Sequence, residues 1–174
     1  LLAMTQGSVK IPLSDLPRLL FSSDLSGQDL IHQRLLIQIR FPRVLLACLA
    51  GGVLAVAGAA LQALFRNPLA EPGLIGVSAG ASLGAVLSIV LLGGGFWGIA
   101  PMAFAGSLGA TILAYLIGKR YGGVAGLLLA GIAINAIAFS VIGLLTYMAS
   151  DTQLRDFTFW SMGSVATGTW HLLA

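Results

Sequence analysis

The chain has 174 residues, only 9% of them charged, and a mean hydropathy of +0.97. Globular proteins usually carry about 25% charged residues, so this composition excludes an ordinary soluble domain. The sequence pI is near 9.5, but too few basic residues lie together to indicate nucleic-acid binding.

Residues suited to catalysis or metal binding are sparse. Cys48 is the single cysteine and lies in an apolar run, which excludes an intrachain disulfide or a thiolate cluster. His32 and His171 have no potential partners at ligand spacing. We therefore expect no catalytic residue, no metal site and no cofactor. We also expect both ends to continue into a longer membrane protein, because an initiator methionine is missing and the last residues begin an apolar run.

Residues 5–43 are amphiphilic and are interrupted by three prolines. Short helices are predicted over 14–20 and 29–39, each with an aspartate near its start, where negative charge favours a helix.

Four uncharged stretches follow, each suited to crossing a hydrocarbon core of about 30 Å. Their predicted bounds are 44–65, 73–92, 98–118 and 124–149, and another run starts near 165. Because residues 72–118 are too many for one span, we expect Gly93–Gly95 and Pro101 to divide them. The predicted fold class is an all-α membrane protein, a polytopic helical bundle.

Small residues recur every fourth position in each predicted span, which places them roughly on one helix face. Such stripes let helix backbones approach closely in lipid. Glycine and alanine are common in membrane spans, but the repetition favours a tightly packed bundle. The stripes comprise Ala47, Gly51, Ala55, Ala59 and Ala63; Gly76, Gly80, Gly84 and Ser88; Gly106, Ala110, Ala114 and Gly118; and Gly122, Gly126 and Ala130.

The charges of the short loops predict an orientation. Loops 66–72 and 119–123 carry three basic residues and one acid, whereas loops 93–101 and 150–160 carry one basic residue and two acids. The first pair is therefore predicted to be cytoplasmic. Residues 5–43 would then lie outside despite five Lys and Arg residues, so either the bundle is inverted or those charges serve a purpose outside.

Several motifs resemble one permease family, which imports iron-siderophores, heme and vitamin B12. The most specific is NPLAEPG at 67–73. The others are RFPR at 40–43, GVSAG at 76–80, LLLAG at 127–131 and FWSMGS at 159–164. Members of this family are membrane subunits of ATP-binding-cassette (ABC) importers.

This resemblance implies a BtuC-like permease with ten helices per subunit, of which this chain holds about four complete ones. It implies an extracytoplasmic segment over 1–43, a transmembrane bundle over 44–174, and a location in the bacterial inner membrane. The implied partners are a second permease subunit, expected to be another copy of the same protein, two cytoplasmic ATPase subunits, a periplasmic substrate-binding protein and membrane lipid. Nucleic acid is not among them.

The resemblance also assigns roles to individual residues. Arg40 and Arg43 match external arginines that dock the binding protein; snorkelling toward lipid phosphates is the alternative. Asn67 and Leu69 match a cytoplasmic gate, and the alternative is a rigid turn with an Arg66–Glu71 surface pair.

Four residues of the fourth span are candidates for lining the pathway. The resemblance assigns this role to Gly123, Val124 and Leu129, although hydroxyl residues stand in place of Gly123 and Val124 in the vitamin B12 importer. Asn135 is the fourth candidate, with bonding to a neighbouring helix as its structural alternative.

The expected function is therefore that of a permease subunit for iron complexes, with heme slightly ahead of ferric siderophores. The residues at 158–164 resemble those of heme permeases slightly more than those of cobalamin permeases. Cobalamin or another metal chelate is the alternative within the family. A secondary transporter or channel coupled to an ion gradient is the alternative from another class, and a purely structural bundle is a third.

Overall fold

The computed structural model describes residues 2–22 and 25–173; Leu1, Ser23, Asp24 and Ala174, which the predicted domain ranges include, lie outside the described residues. Every regular element in the described ranges is helical, which confirms the predicted all-α class. The chain divides into two compact units, Leu1–Leu54 together with Ser164–Ala174, and Ala55–Gly163.

The first unit contains short helices and the beginning of a long one. The short elements are α1 (Leu2–Thr5), a 3₁₀ turn (Leu13–Asp15), α2 (Leu16–Phe21), and α9 (Trp170–Leu173). The helix predicted over 14–20 is thus present as the 3₁₀ turn and α2. Ile11, Leu16, Leu19 and Leu36 form a hydrophobic core in this unit, and an Arg18–Asp29 salt bridge of 2.7 Å lies at its surface.

The helix predicted over 29–39 does not end there. It forms α3 (Gln28–Arg34), a π segment (Leu35–Arg40) and α4 (Phe41–Phe65), which together make one continuous helix of 38 residues. Pro42 lies inside this helix instead of ending it. The π segment immediately before it shifts the hydrogen-bond register, as described below.

The second unit holds the end of α4, a 3₁₀ turn (Pro72–Ile75), α5 (Val77–Leu91), α6 (Phe96–Tyr121), α7 (Gly123–Met148) and α8 (Asp151–Met162). The helices containing residues 28–65, 97–120 and 123–148 are long and apolar enough to span a membrane. The second predicted span (73–92) is shorter than expected, since the 15 residues of α5 extend only about 22 Å. Pro101 lies inside α6, and Gly93, with a φ of 69°, makes the turn before it.

Glycines set the spacing between α5, α6 and α7. A methyl group added at Gly84 would collide with the carbonyl of Met102, and one at Gly106 would collide with the carbonyl of Gly80. The predicted stripes on α5 and α6 therefore face neighbouring helices. The stripe on α4 differs, because a methyl group at Gly51 would meet nothing within 4 Å in the described structure, and Pro42 alone is buried in α4.

Candidate functional site

The predicted docking arginines lie where the long helix changes register. The N–H of Phe41 donates to the carbonyl of Leu36, five residues earlier. In this register the next donor should serve Ile37, but Pro42 has no N–H. The indole N–H of Trp170 donates to the Ile37 carbonyl at 2.8 Å, and its ring stacks on Phe41 with centroids 5.5 Å apart. A side chain distant in sequence thus satisfies the carbonyl left open by the proline.

Arg40 is buried, with 9% of its surface exposed. Its guanidinium donates to the backbone carbonyls of Met4 and Val9. The chain between these two carbonyls passes so close that a Cβ at Gly7 would lie 2.9 Å from Nη2 of Arg40, and Gly7 has a φ of +154°. In this structure Arg40 holds residues 4–9 and does not present its charge at the surface.

Arg43 lies one helical turn further along and is exposed. Its backbone approaches Gly168, where an added Cβ would be 3.3 Å from the Cα of Arg43. The two arginines border one open cavity of about 310 Å³, which is also lined by Ala3, Gln6, Val44, Ala47 and Val165. Of the two predicted docking residues, Arg43 is the one whose charge is accessible.

The predicted gate turn begins with a complete Schellman motif at the end of α4. The N–H of Asn67 donates to the carbonyl of Gln62, and the N–H of Arg66 donates to that of Ala63. Arg66 takes the left-handed position with a φ of 50°, where glycine is more usual. The side-chain oxygen of Asn67 accepts a hydrogen bond from the N–H of Leu69 at 2.9 Å. These local bonds hold the turn while 83% of Leu69 remains exposed.

Two predicted pathway residues share a groove of about 320 Å³. It is lined by Leu64, Tyr115, Gly118, Lys119, Gly123, Val124 and Leu127. Gly123 has a φ of 63° where α7 begins, which explains glycine at this position, since a Cβ is disfavoured there. Leu129 is exposed on α7, but its position lies on a different side of the helix from Val124.

Asn135 forms the hydrogen bond that its structural alternative predicted. Its Nδ2 donates to the carbonyl of Gly73 at 2.9 Å, which ties α7 to the 3₁₀ turn after the gate turn. Its Oδ1 is buried and accepts no hydrogen bond from the described residues. The segment from Asn67 to Gly73 is therefore held at its start by the Schellman motif and at its end by Asn135.

Gln153 was not among the predicted functional residues. It forms a capping box with Ser150 at the start of α8, and its Nε2 also donates to the carbonyls of Ile89 and Val90 at 3.2 and 3.1 Å. One side chain thus caps the start of α8 and the end of α5. The S-x-x-Q pattern of residues 150–153 is the sequence signal for the capping box, but not for the second role.

Together these features define a polytopic α-helical membrane protein with close helix packing and two structured polar regions at the ends of α4. The chain belongs to the FecCD transport family, whose model matches residues 1–174. It is a multi-pass protein of the bacterial inner membrane.

Two curated relatives are permeases with different cargo. The hemin transport system permease protein HmuU of Yersinia pestis is 45% identical over 147 residues, covering 79% of this chain and 43% of that protein. The vitamin B12 import system permease protein BtuC of Escherichia coli O1:K1 is 41% identical over 136 residues, covering 76% of this chain and 41% of that protein. The chain thus spans less than half the length of these relatives.

A solved structure supports the fold assignment. It is described as an inward-facing conformation of an ABC transporter assigned to the metal-chelate type, and its TM-score is 0.81 at 28% identity. The match covers 99% of this chain and 51% of that one. The all-α fold of this chain therefore matches about half of one chain of an ABC transporter structure.

Proposed function

We propose that this chain is part of the permease subunit of a binding-protein-dependent ABC importer and forms a portion of the translocation pathway. The observation that carries the proposal is the match of the whole chain to the FecCD transport family, supported by the likeness to an ABC transporter structure. ATP hydrolysis would be performed by separate cytoplasmic ATPase subunits. A second permease subunit, expected to be another copy, would complete the pathway.

The proposed cargo is an iron complex, with heme ahead of ferric siderophores. The identity to the hemin permease is 45%, and the FWSMGS stretch at 159–164 points the same way. The identity to the vitamin B12 permease is 41%, so cobalamin is the second candidate.

We propose that Arg43 contributes to docking of a periplasmic binding protein. Its exposed charge directly before the uncharged stretch 44–65 is suited to steering and orienting an acidic partner. Arg40 would contribute to the same surface through its bonds to residues 4–9 and not through an exposed charge.

The turn over 67–72 is proposed to be a cytoplasmic gate. Leu69 is held on a locally bonded turn and projects an apolar side chain, which suits the exclusion of water from an exit. Arg66 and Glu71 form no ion pair within 4.0 Å in the described structure, so the surface pair is not what stiffens the turn. Gly123, Val124 and Leu129 are proposed to line the pathway, whereas the Asn135 bond favours a role in anchoring the turn.

An ion-coupled transporter is the less favoured mechanism. Coupling usually requires ionisable residues within the membrane, yet residues 44–65, 74–118 and 121–150 contain no Asp, Glu, Lys, Arg or His. This pattern favours an importer powered by separate ATPases.

The test is uptake by the complete transporter in proteoliposomes, with labelled heme, a ferric siderophore and cobalamin supplied in separate assays. Uptake of heme that requires internal ATP and persists when ion gradients are collapsed would support the proposal. Preferential uptake of cobalamin would overturn the choice of cargo. Uptake that follows an ion gradient without ATP would overturn the mechanism.

A further inference from the structure

We propose that Arg40 is a positioning residue: its buried guanidinium holds residues 4–9 against the π segment of the long helix, and this fold presents the exposed Arg43 to a partner. The effect on docking through Arg43 rests on the proposed function. The contact between Arg40 and residues 4–9 can be tested without any partner.

The first observation is how the guanidinium is used. Arg40 donates to two carbonyls on different residues, Met4 and Val9, and only 9% of the residue is exposed. A charge that contacts a partner must be accessible, whereas this one is turned toward its own chain. The planar fork of arginine can reach two acceptors at fixed spacing, which the single ammonium of lysine reproduces poorly.

The second observation is that the bound segment is shaped to the guanidinium. Gly7 lies between the two carbonyls, and an added Cβ there would be 2.9 Å from Nη2 of Arg40. Its φ of +154° is also disfavoured for other residues. The Arg40 side chain and the loop therefore fit each other closely, and substitution of either Arg40 or Gly7 should disturb this contact.

The third observation connects the contact between Arg40 and residues 4–9 to the rest of the first unit. Just after the loop, Ile11 donates its N–H to the carbonyl of Thr5 at 3.2 Å and is 2% exposed in the hydrophobic core. The exposed Lys10 precedes it directly. Releasing the loop should therefore loosen the backbone around the Lys10–Ile11 bond, which trypsin can cleave.

The experiment uses the full-length permease in detergent and measures trypsin cleavage after Lys10 by mass spectrometry. We expect Arg40→Gln, Arg40→Lys and Gly7→Ala each to accelerate this cleavage by about tenfold or more, because charge-assisted hydrogen bonds are lost or displaced and local opening becomes easier. Arg43→Gln and Ser8→Ala are matched controls and should cleave at the wild-type rate.

Binding of the soluble binding protein is then measured at low and moderate salt. Arg40→Lys should weaken association as much as Arg40→Gln and leave its salt dependence unchanged. Arg43→Gln should weaken association and reduce its salt dependence, whereas Arg43→Lys should retain both, because an exposed charge acts through screened electrostatics.

Each outcome decides one point. If Arg40→Lys keeps wild-type trypsin protection and association, the charge is sufficient and the positioning role is overturned. Wild-type protection in Gly7→Ala and Arg40→Gln together would also overturn it. If the wild-type protein does not bind the binding protein, the proposed docking function fails, while the trypsin result still decides whether Arg40 holds the loop.

Discussion

The two ends of α4 (Phe41–Phe65) handle their backbone irregularities in opposite ways. At the start, the carbonyl left open by Pro42 is satisfied by Trp170, which is 133 residues away from Ile37 in sequence. At the end, Arg66, Asn67 and Leu69 satisfy the backbone through bonds that reach no more than five residues. The backbone at the first end depends on a residue distant in sequence, whereas the backbone directly after the second end is satisfied by its neighbours, and Asn135 anchors the turn only further along, at Gly73.

Because of this difference, we expect the two ends to respond differently to substitution. A turn held by its own bonds can carry a functional side chain whose replacement leaves the fold intact. An end held by distant residues will lose local structure when a distant partner is removed. The following variants test that contrast.

The largest expected effect is at Leu69. Leu69→Asp should leave folding nearly unchanged, because the side chain is 83% exposed and exposed substitutions usually change stability by only about 0.5 kcal/mol. If the turn is a gate, the charged side chain should admit water and raise ATP-independent leakage of preloaded ligand severalfold. Efflux from proteoliposomes measures this, with Leu69→Met as the control.

Cysteine crosslinking provides the corresponding geometric check. Cys48 is free and exposed, so it is first replaced by serine, and a cysteine is then placed at Leu69. Crosslinking between two permease subunits in at least one nucleotide state is expected. Its absence in every state, together with unchanged leakage in Leu69→Asp, would contradict the gate.

Charge reversal at the other end should have the next largest effect. Arg43→Glu is expected to weaken binding-protein association by about tenfold at low salt, with a smaller loss at moderate salt because exposed charges are screened. Arg40→Glu should weaken association and also expose the Lys10–Ile11 bond to trypsin. The double variant should insert into the membrane normally. Unchanged association of Arg43→Glu at both salt concentrations would rule out docking through its charge.

Removing the distant donor should have a moderate effect. Trp170→Phe retains an aromatic ring beside Phe41 but loses the N–H that serves Ile37. We expect the free energy of unfolding to fall by about 1 kcal/mol, which is typical for one hydrogen bond. A denaturant titration of the full-length protein measures this change. Trp160→Phe is the control, since Trp160 stacks on Phe157 with centroids 6.4 Å apart; an equal loss in both variants would contradict a specific role for the Trp170 hydrogen bond.

The smallest expected effect concerns the locally held end. Arg66→Gly should stabilise the protein by about 1 kcal/mol, because glycine adopts the left-handed conformation without the cost carried by other residues. Arg66→Ala removes the charge but retains that cost, so it should show no such gain. The same denaturant titration compares the two. Equal stability of these variants would show that the backbone conformation of Arg66 carries no measurable cost.

Much of the fold could be predicted because it follows from local composition. Helix positions in the membrane follow from uncharged stretches, and the close contacts of α5 and α6 follow from glycines at every fourth position. The exception is α4, whose similar stripe faces open space among the described residues. A stripe shows which face permits close packing, but the neighbour that occupies it depends on the tertiary arrangement.

In the candidate site, too, some features could be predicted from the local sequence and others could not. The turn at 66–72 was predictable, since Asn-Pro and a following proline restrict the backbone locally. The sequence motif assigned Arg40 and Arg43 the same role, because both match external arginines of the family. Their different roles arise from burial, which depends on where residues 4–9 fold.

The sequence by itself therefore determined the membrane class, the helix positions and the family, because hydropathy and motif spacing are properties of neighbouring residues. Only the tertiary structure decided that Pro42 is accommodated within a helix, that Arg40 faces its own chain, and that Gln153 caps α5. Each of these depends on a hydrogen bond between residues far apart in sequence, and such a bond leaves no local pattern by which to predict it.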